Sequence, residues 1–198
     1  HFFEFHSINS TAYDNRNSPT TGKYWLIKTF EVLKGIQNDV VLDGTVYLDE
    51  TYFTKVRSKL VTKDGKKLRG ISRNKIGVGV ACNETKSIFI VTGTSKPSRK
   101  STKETYSQHI ARGSVLVHDD EHSHSILIEE LELESIVYPT AETKELSDKD
   151  NPLYPVNNLH LLLKQFIRNH GAYDREHLQD WLNLFWFIMN EPKDKYDK

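Results

Sequence analysis

Two acids in this chain close apolar runs. Asp49 follows Val46-Tyr47-Leu48, and Asp119 follows Val115-Leu116-Val117-His118. Short β-branched runs of this kind form buried strands. A lone carboxylate there is expensive to bury, so it must be paired, capped by backbone or bound to a metal. A cap or an ion pair at a strand edge would explain either acid alone. If the two strands are neighbours, however, the acids meet, a common way to build a divalent-cation site.

A third element carries groups suited to the same chemistry. At 100° per residue from Asn157, His160 and Lys164 project at about 300° and 340°, so the three form one polar stripe on a helix starting near Val156. Leu159, Leu162, Leu163, Phe166 and Ile167 fall on the opposite, core-facing side. The stripe reads as an ordinary solvated helix face or as a phosphodiester-handling one. An amide oxygen can ligate a metal, an imidazole can donate a hydrogen bond and an ammonium can neutralise phosphate.

Two further clusters stand out. His118-Asp-Asp-Glu-His122-Ser-His124 is dense enough to suggest a transition-metal site. It runs through a strand-to-helix turn where not all of its side chains can converge, so we expect Asp119 to be the ligand and the histidines to line the turn. Between positions 55 and 75 stand Lys55, Arg57, Lys59, Lys63, Lys66, Lys67, Arg69, Arg73 and Lys75 against one acid, Asp64. A charge run is often only a solvated loop. Beside a carboxylate site it also suits a polyanionic backbone, cations holding phosphates while acids hold metal. Arg99 and Lys100, with Lys96 and Lys103, form a smaller basic stretch.

The elements that must position these groups follow from periodicity and turn signals. Residues 1–20 show no sustained period and read as a mobile lead-in. Helical spacing begins at Tyr24 and runs to Ile36. Strands are expected at Gly44–Phe53, Ile76–Ala81, Ser87–Thr92, Ser114–Val117 and Ser135–Tyr138, and helices near Lys103–Ile110 and at Ser125–Leu133. Ala141 to Pro155 reads as a loop. Helices at Val156–Arg168 and Arg175–Asn190 close the chain, and His177, Trp181, Phe185, Trp186 and Ile188 on the last read as core packing rather than base stacking. This order implies an α/β layer fold with a mixed sheet.

Composition narrows the class. The 198 residues are 37% hydrophobic and 27% charged, enough apolar material for one sizeable core. Lys+Arg and Asp+Glu are both 27, giving a formal charge of zero, which excludes a histone-like polycation. The single cysteine, Cys82, excludes a disulfide framework and a cysteine-based zinc site. No apolar run approaches the roughly 20 residues that span a bilayer and no signal peptide is evident, so a soluble, cytoplasmic protein without a membrane partner is expected. The sequons at Asn9 and Asn83 are then chance matches. The only methionine is Met189, which points to a fragment, a processed product or an isolated domain.

Three segments together resemble the DDE superfamily of insertion-sequence transposases, in its ISXO-like branch. Leu42-Asp-Gly-Thr-Val-Tyr-Leu-Asp49-Glu-Thr-Tyr52 resembles the first catalytic strand, and Val115-Leu-Val-His-Asp119 the second. Val156-Asn157-Asn-Leu-His160-Leu-Leu-Leu-Lys164 resembles an Asp-Asp-Asn-Lys variant of the third motif, and Gly171 to Phe187 the closing helix. The likeness covers roughly residues 22–190. It implies an RNase H-like mixed β-sheet flanked by α-helices, with residues 1–22 a flexible or partial lead-in, 23–192 the catalytic domain and 193–198 a polar tail. It further implies cleavage and strand transfer at transposon ends with Mg²⁺ or Mn²⁺. Asp49, Asp119 and Asn157 would hold metal, Lys164 would lie beside the scissile phosphate and His160 would support it. The expected partners are transposon-end and target DNA and further copies of the chain assembled on DNA. Family members usually carry an end-recognition module before this region, often a zinc ribbon, and no Cys-x-x-Cys is present here. His124 stands where the family tends to have an aromatic residue.

Two other readings remain open on sequence. One is a catalytically inactive, transposase-derived DNA-binding remnant; the other is a nuclease acting on RNA–DNA hybrids. A serine or cysteine hydrolase is disfavoured, because no nucleophile elbow occurs and Cys82 has no recognisable base partner.

Overall fold

Val46, Leu48, Thr51 and Phe53 are buried along the β-branched and aromatic strand that carries Asp49 at the centre of the sheet. In the computed structural model, which describes residues 7–55, 64–66, 70–71, 73–170 and 175–190, the strands are β1 (Thr45–Thr54), β2 (Lys75–Cys82), β3 (Ser87–Thr94), β4 (Val115–His118) and β5 (Glu134–Val137). The helices are α1 (Ile8–Asp14), α2 (Pro19–Leu33), α3 (Arg99–Tyr106), α4 (Ser125–Leu131), α5 (Thr140–Thr143), α6 (Tyr154–Asn169) and α7 (Leu178–Met189). The chain divides into two compact units: Asp39–His160, and His1–Asn38 together with Leu161–Lys198.

In the first unit the strands form one mixed sheet in the order β3-β2-β1-β4-β5. β1 pairs antiparallel with β2, and β2 with β3, whereas β1, β4 and β5 run parallel. This is the RNase H-like order, as expected. A short turn at residues 83–86 joins β2 to β3, and the parallel half needs crossovers, in which α3 and α4 lie. Tyr106, Ile110, Leu127 and Leu133 pack with Val46, Leu48, Ala81, Ile88 and Leu116 in one buried cluster. Burial of this set contributes roughly 1.5–3 kcal/mol per large side chain.

All five strands fall within a few residues of expectation and α4 begins at Ser125 as expected, while the starts of α2 and α3 differ. α3 begins at Arg99, four residues before the expected Lys103, because Ser98 and Ser101 form a reciprocal capping box ahead of any apolar period. α2 begins at Pro19, since the Ser18 hydroxyl accepts from the Thr21 amide and proline suits the first helical position. The stretch expected as a mobile lead-in therefore holds α1 and the start of α2. The expected loop 141–155 contains most of α5 and the first residues of α6.

The second unit is an aromatic-rich helical packing. Trp181 and Phe185 of α7 are buried, Phe30 of α2 meets Trp181 edge-on with centroids 5.1 Å apart, and Phe166 lies 5.2 Å from Phe185. Gln37 donates to the Asn183 side chain at 2.8 Å, so the buried amides satisfy each other. The expected core role of Trp181 and Phe185 holds, Trp186 and Ile188 are half-buried, and His177 instead lies exposed beside Asp180, 3.0 Å away.

Candidate active site

The parallel register of β1 and β4 sets Leu48 opposite His118, so the chain carries Asp49 and Asp119 one step further on, side by side. Each acid is tied at one oxygen by local backbone. Asp49 Oδ1 accepts the Glu50 amide at 2.8 Å, and Asp119 Oδ1 accepts the Glu121 amide at 3.1 Å. Both side chains remain 25% exposed. Burial, followed by the charges of Asp119 and Glu50, pushes the Asp49 carboxyl up from 3.8 to about 7, although the Glu50 amide and His124 pull the other way. Burial also raises Asp119, against the pull of His124.

α6 brings His160 to the pair. His160 is buried, and its Nδ1 lies 3.7 Å from Asp49 Oδ2. Asn157, half-buried, stands three residues earlier on the same helix. Lys164 is exposed on α6 and belongs to the second compact unit.

Behind the pair runs a buried polar chain whose two histidines stand out in the sequence, whereas Glu50, Tyr106 and Ser135 do not. Glu50, with a side chain only 4% exposed, accepts from the Tyr106 hydroxyl at 2.8 Å and meets His124 Nε2 at 3.2 Å. His124 Nδ1 lies 3.1 Å from His118 Nδ1, and His118 Nε2 lies 3.0 Å from Ser135 Oγ. Gly79 makes room for this chain: a Cβ there would sit 2.0 Å from the Tyr106 hydroxyl. Burial holds His118 down, helped by His124, at about 4. Burial pushes His124 down too, but its bond to Glu50 and the charges of Glu50, Asp119 and Asp49 outweigh that and raise it. His122 is exposed, so of the three histidines in the turn two converge. The available signal was the Asp-Glu pair itself, since adjacent strand residues face opposite sides and both sides of a central strand are covered.

The basic residues divide into two kinds. Arg57, Lys59, Lys63, Lys67 and Arg69 lie outside the described residues. Lys66 and Arg73 are exposed, Lys55 is half-buried, and Lys75 donates to Thr54 Oγ1 at 2.8 Å. In the second stretch Arg99 pairs with Glu129 and Lys103 with Glu130, each at 2.6 Å, while Lys100 lies 3.8 Å from Glu104 and Lys96 3.0 Å from Glu121.

The donor set fits a hard divalent cation. Two partly buried carboxylates, both raised by burial and Asp49 raised further by the charge of Asp119, form a site that a cation relieves. Among the described residues no helix is long and apolar enough to cross a membrane.

No family model matches the chain, and no curated protein does. Solved structures do. A chain of the simian T-cell lymphotropic virus intasome, in complex with PP2A regulatory subunit B56 gamma, is 8% identical, with a TM-score of 0.46 over 77% of this chain and 50% of that one. The Mos1 transposase catalytic domain with raltegravir and Mn is 15% identical, with a TM-score of 0.40 over 81% of this chain and 79% of that one. The catalytic domain of Mos1 mariner transposase is also 15% identical, with a TM-score of 0.34 and coverage of 83% and 87%. The chain thus spans half the length of the intasome chain.

Proposed function

We propose that this chain is the catalytic domain of a DDE-type transposase that cleaves DNA strands and joins them at insertion-sequence ends. The observation that carries the reading is the Asp49–Asp119 pair at the junction of two adjacent parallel strands, with His160 of α6 set against it. The sequence resemblance in the same three segments supports it.

Asp49 and Asp119 would hold Mg²⁺ or Mn²⁺, with Asn157 offering an amide oxygen from α6. The metal would supply polarisation of the phosphoryl oxygens and a water or 3′-hydroxyl nucleophile at neutral pH. The chain's own residues do the rest. The two backbone amides at Glu50 and Glu121 each hold the Oδ1 of one acid, and Asp49 Oδ2 faces His160. His160 orients Asp49, and Lys164 neutralises phosphate charge. The basic segment with Lys55, Lys66, Arg73 and Lys75, continued by Arg57, Lys59, Lys67 and Arg69, binds the DNA backbone, while Arg99 and Lys100 add a second contact. Further copies of the chain assemble on paired ends.

The test is Mn²⁺-dependent nicking of supercoiled plasmid together with Mn²⁺ calorimetry. Asp49→Ala and Asp119→Ala should each lower nicking on the order of a thousandfold, as expected when a group acts as part of a unit, and abolish the calorimetric signal. Salt-sensitive DNA binding with no nicking by the wild type would instead establish the inactive remnant.

A further inference from the structure

His118, Asp119 and His124 bring three ligand atoms within 4.8 Å of one another. The two Nδ1 atoms face each other at 3.1 Å, and Asp119 Oδ1 lies 3.9 Å from His124 Nδ1. Two imidazole nitrogens on one tetrahedral zinc ion, each at about 2.0–2.1 Å, stand about 3.3 Å apart. The histidine pair is already close to that spacing, and Asp119 Oδ1, which also accepts the Glu121 amide, stands on the third side.

The outer nitrogens are arranged as ligating histidines require. His124 Nε2 meets the Glu50 carboxylate and His118 Nε2 meets the Ser135 hydroxyl, so each ring can keep its proton outside and present Nδ1 inward. Tyr106 in turn holds Glu50. Both rings are buried, and the exposed edge of Asp119 provides the approach.

We propose that His118 Nδ1, His124 Nδ1 and Asp119 Oδ1 bind a borderline-soft divalent ion, Zn²⁺ foremost, with a fourth position left open. The ion replaces the proton held between the two nitrogens. Imidazole donors suit zinc and cobalt, whereas Mg²⁺ takes oxygen ligands. This site therefore selects a different metal from the Asp49–Asp119 pair, with Asp119 shared between them. It does not rest on the transposase reading, because metal binding is measured without DNA.

The experiment is titration of the metal-free full chain with Co²⁺, read by visible ligand-field absorption. Bands of tetrahedral or five-coordinate cobalt are expected, displaced by Zn²⁺ and unmoved by excess Mg²⁺. His118→Gln and His124→Gln should each weaken binding about tenfold or more, while Asp49→Asn should leave the bands in place. Because both rings are buried, imidazole ¹⁵N NMR of the wild type gives an independent reading, with Zn²⁺ expected to shift the Nδ1 resonances of both histidines. No bands, bands that survive both histidine substitutions, bands lost in Asp49→Asn, or unshifted Nδ1 resonances would each overturn the site. Loss of plasmid nicking alone bears on the transposase reading and leaves this one standing.

Discussion

Asp49 and Glu50 are consecutive acids in one strand, and the protein treats them in opposite ways. Asp49 keeps a quarter of its side chain exposed, and its carboxyl is driven up to about 7, by burial first and then by neighbouring acids. Glu50 is almost wholly buried, yet Tyr106 and His124 both engage one of its oxygens. Strand alternation sends the two side chains to opposite faces, so one acid faces His160 of α6 and the other meets α3 and the turn before α4. The contrast separates an acid under electrostatic strain that a cation would relieve from an acid that organises the interior.

Removing the second acid should break the comparison most severely. Glu50→Ala leaves His124 and the Tyr106 hydroxyl buried without their shared partner. Uncompensated buried charge of this kind costs about 3–5 kcal/mol. Urea unfolding should show that loss, and Glu50→Gln, which retains an acceptor oxygen, should recover a good part of it.

Changing the first acid should do the reverse. The folded state holds the Asp49 proton more tightly than the unfolded chain does, because its carboxyl is raised from 3.8 to about 7. Between those values the folded state binds more protons, so stability falls as pH rises through the window. Asp49→Asn carries no such charge. It should match the metal-free wild type near pH 4 and exceed it above pH 7 by on the order of 2 kcal/mol, a full shift discounted for solvent access. Melting curves across that range would show it, and saturating Mn²⁺ should close the gap by stabilising the wild type alone. Equal stability at every pH would mean that the acid pair is not strained.

Much of this site was legible in the sequence, and the division between legible and hidden parts follows sequence distance. The acids could be read because each closes a local β-branched run, and adjacency of the two strands was the single extra assumption needed. His160 could be read because helical spacing ties it to Asn157. The Glu50 chain could not: Tyr106 lies 56 positions away and His124 lies 74, and only the sheet register brings them together. That not all of the turn histidines converge could be read, but which two do could not, because it depends on the 3-10 turn at His122–His124 that folds the segment tightly. Helix starts were misjudged at Ser18 and Ser98 for a related reason, since a cap stands outside the apolar period that reveals its helix.

The finest test of the comparison is Tyr106→Phe. The ring is fully buried and its hydroxyl makes a 2.8 Å bond to Glu50, in space left by Gly79. Removing only that oxygen keeps the packing and leaves Glu50 with His124. A hydrogen bond to a charged acceptor is worth about 1.5–3 kcal/mol, and the smaller figure is expected because one partner remains. The diagnostic quantity is the coupling in a double-mutant cycle with Glu50→Gln. If Tyr106 and Glu50 act as one buried unit, the double variant should lose about 1 kcal/mol less than the sum of the two single losses. Additive losses would show that Tyr106 stabilises the sheet through its ring alone, and Glu50 would then be held by His124 rather than by a chain reaching back to α3.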